Sequence, residues 1–224
     1  MENFSKVREI SLQQLAGSLA AEGRTIDEGF TFLEAVIDVL ALKSGSDNRA
    51  SLMVATLLKA RNFERAIYTL ALEGLAQEAG ALLRPLTECI DLLSYLRLVH
   101  DAPEKILQGR LPKAGDIAAK VGGPFKNLRE HLNEHASHFA ATAESLFHVA
   151  NLRNFSFQKE VVNSPKLLRY NLGSLFIFQA LVGIEAFESL KTFGLMSELL
   201  QQTFPRWVEQ GLHAYDGYLE TPPN

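Results

Sequence analysis

The stretch from Leu172 to Phe187 constrains this chain more than any other part of it. Wound as a helix, it is apolar on nearly every side, and Gln179 and Glu185 are its strongly polar interruptions. A helix without a polar face belongs in the middle of a protein core or in a bilayer. The run falls short of the roughly 20 apolar residues that cross a membrane. The expectation is therefore a buried helix at the centre of a bundle, with no membrane span. Gln179 and Glu185 then need partners or an internal pocket to line, because an unpaired buried carboxylate is costly.

The rest of the chain must surround that helix, and its apolar spacing is helical almost throughout. No run of alternating apolar and polar residues bounded by hairpin turns appears. A first helix is predicted from Ser5 to about Ala21, stopped by Gly23. Thr25 and Glu28 have capping-box spacing and predict the start of a second helix that ends near Gly45. A third begins near Ser46 or Asp47 and runs to Glu73, with Gly74 beyond it. A fourth covers about Leu75 to His100 on a seam of Leu82, Leu86, Cys89, Leu93 and Leu96, with Pro85 kinking or breaking it. Residues 101–124 carry Pro103, Pro112, Pro124 and a Gly122–Gly123 pair, and read as a connection with short helices at 103–107 and 113–120. Helical spacing returns over 125–150, and 151–163 read as a loop. Ser164 and Pro165 then form an N-cap and first-turn pair that starts the apolar helix. A last helix spans about Met196 to Tyr215, with Pro205 inside it. The fold expected is all-α: one domain over 1–224 of about seven longer helices, its central helix wrapped by those at 25–45, 75–100 and 125–150.

Charge and cysteine content narrow the function classes. The 224 residues carry a net charge of −4, which disfavours broad electrostatic binding to nucleic acid. A single cysteine, Cys89, excludes an intramolecular disulfide and a multi-cysteine zinc site. The start of the chain lacks the basic-then-apolar pattern of a signal peptide, and a cytoplasmic protein is expected. Cys89 sits on the apolar seam and reads as a packing residue.

Two groups of polar residues stand out. His131, His135 and His138 are spaced i, i+4, i+7 and share one helix face, with Glu134 near it. Imidazoles one turn apart can bind a divalent metal, with Glu88 or Glu134 completing the shell; otherwise they are flank residues bonded to their neighbours. No HExxH is present. The second group is Arg84, Glu88, Asp91 and Tyr95, on one face of the fourth helix opposite its leucine seam. Arg84 and Glu88 are i, i+4 neighbours and can pair. The patch is either a solvated ion pair or a polar face on a cleft, with Arg84, Glu88 and Asp91 as candidate substrate-binding residues.

Two resemblances bear on these residues. Arg129 and His135 have R-x5-H spacing, which resembles the R-x4-6-H motif of HEPN-type helical ribonucleases. That resemblance implies metal-independent RNA cleavage, often across a homodimer, with Arg129 and His135 or His138 acting at the scissile phosphate. The chemistry is coherent, since a guanidinium stabilises phosphate charge and an imidazole moves a proton near neutral pH. The run from Ala81 through Arg84, Glu88 and Tyr95 to Leu96 is similar to an Arg-x-x-x-Glu pattern of uncharacterised bacterial helical proteins. The run from Leu128 to His138 is similar to their second, histidine-bearing motif, with Asn133 and Phe139 departing from it. This likeness implies an all-helical fold and a site near Arg84, Glu88 and His138, and it supplies no reaction.

Three functional readings follow. The first is a binding or interaction module without cofactor. The second is a HEPN-like ribonuclease acting on RNA. The third is a metal-binding helical-bundle hydrolase whose site is built from His131, His135, His138 and Glu88 or Glu134. The first requires no motif the sequence lacks.

Overall fold

The computed structural model describes residues 2–123, 125, 150–151, 156–157 and 163–216. Six helices of fifteen residues or more lie among them. They are α1 (Glu2–Ala16), α2 (Ala20–Ser44), α3 (Asn48–Leu72), α5 (Leu83–Leu98), α8 (Pro165–Thr192) and α9 (Glu198–Ala214). Three short ones, α4 (Ala76–Ala81), α6 (Ala102–Leu107) and α7 (Ala114–Lys120), fall between them. The protein is all-α, as the periodicity predicts. The helix expected over 125–150 lies outside the described residues. A two-residue antiparallel ladder pairs Ala150 with Phe157 and Asn151 with Ser156, within a stretch read from sequence mostly as loop.

The start of α8 is written in its sequence. Ser164 is extended, and its hydroxyl accepts from the Leu167 N–H, while Pro165 needs no donor in the first turn. The helix then runs 28 residues with Leu168, Leu172, Leu175, Val182, Ala186 and Leu190 fully buried. It packs on α2, α3 and α5, and more lightly on α9. Among the described residues it is the one helix long and apolar enough to cross a bilayer. Half of its most apolar window is buried against the other helices. The sequence expectation placed α2 and α5 around it but omitted α3, which turns out to be one of its main neighbours.

Other boundaries follow local chemistry. The Asp47 carboxylate accepts from the N–H groups of Arg49 and Ala50 and caps α3. Gly74, at φ 75°, ends that helical stretch in the left-handed region that glycine tolerates best. The fourth helix of the sequence reading is two helices, because Pro85 cannot donate to the carbonyl of Ala81 and its ring crowds that position. The chain breaks at Leu82, and Pro85 falls in the first turn of α5. The C-terminal end of α5 is tied down by Arg49, whose guanidinium donates to the carbonyls of Leu96, Arg97 and His100.

One boundary departs from the sequence expectation. The break between α1 and α2 comes at 17–19, and Gly23, Thr25 and Glu28 all lie inside α2. The Thr25 hydroxyl donates to the carbonyl of Ala21, 3.0 Å away, so the capping box does not form. Gly23 acts through its missing side chain. A Cβ there would stand 3.2 Å from Leu15 Cδ2, so the glycine lets α1 fold back closely on α2.

Aromatic rings fill the space between α2, α8 and α9. Phe32, Phe176, Phe204 and Trp207 form a chain of ring contacts that reaches Phe187 at one end and Tyr215 at the other. Glycines on three helices make room for them. A Cβ on Gly29 would meet Trp207, one on Gly183 would meet Phe204, and one on Gly211 would overlap the Phe176 ring. The polar edges are bonded: Trp207 Nε1–H donates to the Thr25 carbonyl at 2.8 Å, and Tyr215 O–H to the Glu22 carbonyl at 3.1 Å.

Replacing Gly211 with Ala should therefore cost stability although alanine is the better helix former. A loss of about 1–3 kcal/mol is expected from overpacking against Phe176. Gly80→Ala is the internal comparison, since a Cβ there meets nothing within 4 Å. That change should be neutral or stabilising by up to ~1 kcal/mol. Urea unfolding of the two variants measures both, and equal effects would contradict the packing account.

Candidate binding cleft

Three segments enclose a cleft of about 420 Å³: α3, α5 and the chain from Leu111 to Ile117. Leu52, Ala55, Leu92, Leu111 and Ile117 supply apolar wall, with Pro85 and Pro112 at its borders. Thr56, Lys59, Glu88, Cys89 and Asp91 supply the polar atoms. A second concavity, between α8 and α9, is close in volume, and its carbon-rich lining includes Ile184, Phe204 and Leu212, with Glu209 and His213 at its edge. The α3–α5 cleft has the more varied donors and acceptors.

The periodicity of α5 explains how its face is shared. Arg84 and Glu88 lie one turn apart, with Arg84 Nε 3.4 Å from Glu88 Oε1 and both side chains more than one-third exposed. Such a pair contributes a few tenths of a kcal/mol, roughly, to the helix. Glu88 lines the cleft, and Arg84 stands behind it as its ion-pair partner. One turn on, Asp91 is 3% exposed, and Tyr95 beyond it is fully buried. The reason is α7, which lies along α5 and buries Ile117 and Ala118 there. Gly123, where the chain leaves α7, comes so near Asp91 that a Cβ would stand 2.8 Å from its Oδ1. The polar face that the sequence reading set opposite the leucine seam is thus split. Glu88 and the buried Asp91 line the cleft, and Tyr95 is fully covered.

Cys89 is buried, as its place on the seam predicts. Burial pushes its thiol up to about 11, with Glu88 and Glu64 adding to the rise and Lys59 opposing it. A thiol held that high is almost wholly protonated at neutral pH and is a poor nucleophile. Lys59 is exposed. Its Nζ sits 5.8 Å from the centre of the Phe63 ring, one turn along α3.

The sequence reading missed Glu64. This carboxyl is completely buried on α3, and among the described residues neither of its oxygens has a hydrogen-bond partner. Burial raises its pKa from 4.5 to about 8, and the Gln179 side chain pulls part of the way back. Gln179, singled out from sequence as needing a partner, donates from Nε2 to the Ile26 carbonyl at 3.4 Å, while its Oε1 is unpaired. Glu185, singled out with it, pairs with Arg97 at 3.1 Å. Hydrophobic spacing alone gave no sign of Glu64, since Arg61 and Arg65 flank it and suggest a surface turn of helix.

The remaining sequence candidates, Arg129, His131, Glu134, His135 and His138, lie outside the described residues. Among the described residues no group of three His, Cys, Asp or Glu side chains is placed to hold a metal ion. No family model, curated protein or solved structure matches the chain.

Glu64 makes the stability of the fold depend on pH in a defined direction. The folded state holds this proton up to about pH 8, whereas the unfolded chain releases it near pH 4.5. Between these values the folded state binds more protons, so stability falls as pH rises and levels off above the folded pKa. The full effect is of the order of 5 kcal/mol at about 1.4 kcal/mol per pKa unit. Glu64→Gln should flatten this decline and be more stable than the parent at pH 8.5. Urea unfolding of both proteins at pH 5.5, 7.0 and 8.5 measures the difference. Parallel curves would show that Glu64 ionises normally.

Proposed function

We propose that the protein is a binding module whose site is the α3–α5 cleft, and that it takes a small ligand with a mainly apolar body. The observation that carries this reading is the cleft itself. Its volume of about 420 Å³ falls in the range typical of small-molecule sites. Its lining has the usual division of such sites, an apolar wall with a few polar groups gathered at one part. Glu88, expected from sequence as a binding residue, lines it, and Arg84 holds Glu88 from behind. Asp91, the third expected residue, also lines the cleft and is buried. The thiol at the cleft is protonated and buried, and the Arg84–Glu88 ion pair has the geometry of a support for Glu88. Recognition of a ligand accounts for these residues without a reaction.

A short aliphatic alcohol tests the reading, since it offers an apolar body with an uncharged head. 1-Octanol should raise the melting temperature in a dose-dependent way, with a Kd of the order of 0.1–1 mM from the burial of its chain. Ala55→Trp places an indole in the mouth of the cleft from an exposed position on α3, where the fold has no need of the alanine. That variant should keep the parent's melting temperature without octanol and lose the shift with it. An unchanged shift in Ala55→Trp would place octanol elsewhere and end the proposal.

A further inference from the structure

The charges around the cleft are not equally satisfied. Glu88 is already met by Arg84 at 3.4 Å. Asp91 is buried and engaged in an interaction of its own. Lys59 differs from both. It lines the cleft, is exposed, and has the Phe63 ring as its neighbour at 5.8 Å. Among the described residues no carboxylate lies within ion-pair distance of its Nζ. The cleft therefore presents one uncompensated cation beside an apolar wall of Leu52, Leu92, Leu111 and Ile117.

We infer that the ligand is a small carboxylate with an aliphatic or aryl body, its anionic head set against the Lys59 ammonium and its body against that wall. This rests on the cleft being the binding site, as proposed above. Size agrees with a small molecule: at about 30 Å³ for each water-sized unit, the cleft accommodates roughly a dozen non-hydrogen atoms. Charge selects the head group. A free amine would have to compete with Arg84 for Glu88 and approach Lys59 with like charge. A carboxylate meets Lys59 without displacing an existing pair. Lysine suits this task because its ammonium is a mobile point charge on an apolar stem, which can follow a head group at the mouth of an open cleft.

Three eight-carbon probes with different head groups separate this inference from the reading it rests on. Octanoate, 1-octanol and octylamine are titrated by calorimetry at pH 7 into the full-length chain, Lys59→Met, Lys59→Arg and Ala55→Trp. Octanoate should bind about three- to fivefold more tightly than octanol, an increment suited to a solvent-accessible ion pair. Octylamine should bind most weakly. Lys59→Met should bring octanoate down to the affinity of octanol while leaving octanol unchanged, and Lys59→Arg should preserve the preference. Raising the salt concentration should erode the octanoate advantage alone. If octanol and octanoate bind equally, or octylamine binds best, or Lys59→Met keeps the preference for octanoate, the charge assignment is overturned while the cleft remains a site. If no probe binds, or Ala55→Trp binds all three undiminished, the cleft reading fails and this inference fails with it.

Discussion

Burial of α8 is the constraint on which the rest of the structure depends. A helix of 28 residues whose middle, Leu172 to Phe187, is apolar on nearly all sides exposes too much hydrocarbon to stand alone on a protein surface. It has to be covered along its length, and covering it takes several helices. α2, α3 and α5 supply most of that cover, and α9 adds to it. The arrangement of these four follows from what α8 offers each of them. Gly183 lets Phe204 of α9 approach the helix axis, and Phe176 enters the space left by Gly211. Small residues and large rings alternate across the contact, so the helices interlock at near-solid density and cannot slide past one another freely.

Hydrocarbon contact alone would leave the register of these helices weakly defined, and polar ties fix it. Arg169 of α8 donates to the Glu22 carboxylate of α2 at 2.8 Å and to the carbonyl of Ala214 at the end of α9 at 2.7 Å. Near the start of α8, the Asn163 amide donates to Ser11 Oγ and to the carbonyl of Ala71, joining α1 to the end of α3. Arg97 and Glu185 join α5 to α8 in its C-terminal half. Each tie links residues distant in sequence, and each would be broken by a shift of one helical turn, about 5.4 Å. Glu64 is different in kind. It sits in the same core with no hydrogen-bond partner among the described residues, and it is accommodated by keeping its proton. A charged Glu64 would work against the packing that the other polar groups secure.

These features differ in how far the sequence reveals them. Ser164–Pro165, Asp47 and Gly74 act through their own backbone, so local chemistry exposes them before any neighbour is known. The apolar run of α8 is equally plain, because a helix without a polar face has few places to go. Thr25 and Glu28 show where local reading fails. Their spacing suits a cap, but Gly23 lets α1 pack against α2 one turn earlier, and tertiary contact carries the helix through both residues. Glu64 and Lys59 share a helix and are both ionisable, and sequence spacing does not tell which is buried. The glycines at 29, 183 and 211 are legible only beside the rings they admit. Arg84, Glu88 and Asp91 all lie on α5, yet the cover that α7 gives that helix depends on where the connection after α5 settles.

That connection also explains why the cleft exists. Between Ala102 and Lys120 the chain forms two helices of six and seven residues, with Pro112 in the extended segment between them. Elements this short carry few large side chains inward, and an extended segment cannot interdigitate with helix ridges as another helix would. α7 lies along α5, with Ile117 and Ala118 buried and the Lys120 ammonium 5.8 Å from the centre of the Tyr95 ring. Over the first half of α5, among the described residues, the connection contributes Leu111, Pro112, Ala114 and Ile117, which form a rim in place of a plug. α3 and α5 pack on each other and both rest on α8, so the cleft lies over a supported floor. The cleft is the space that a short, proline-containing connection leaves over two helices that pack on each other and on the central helix.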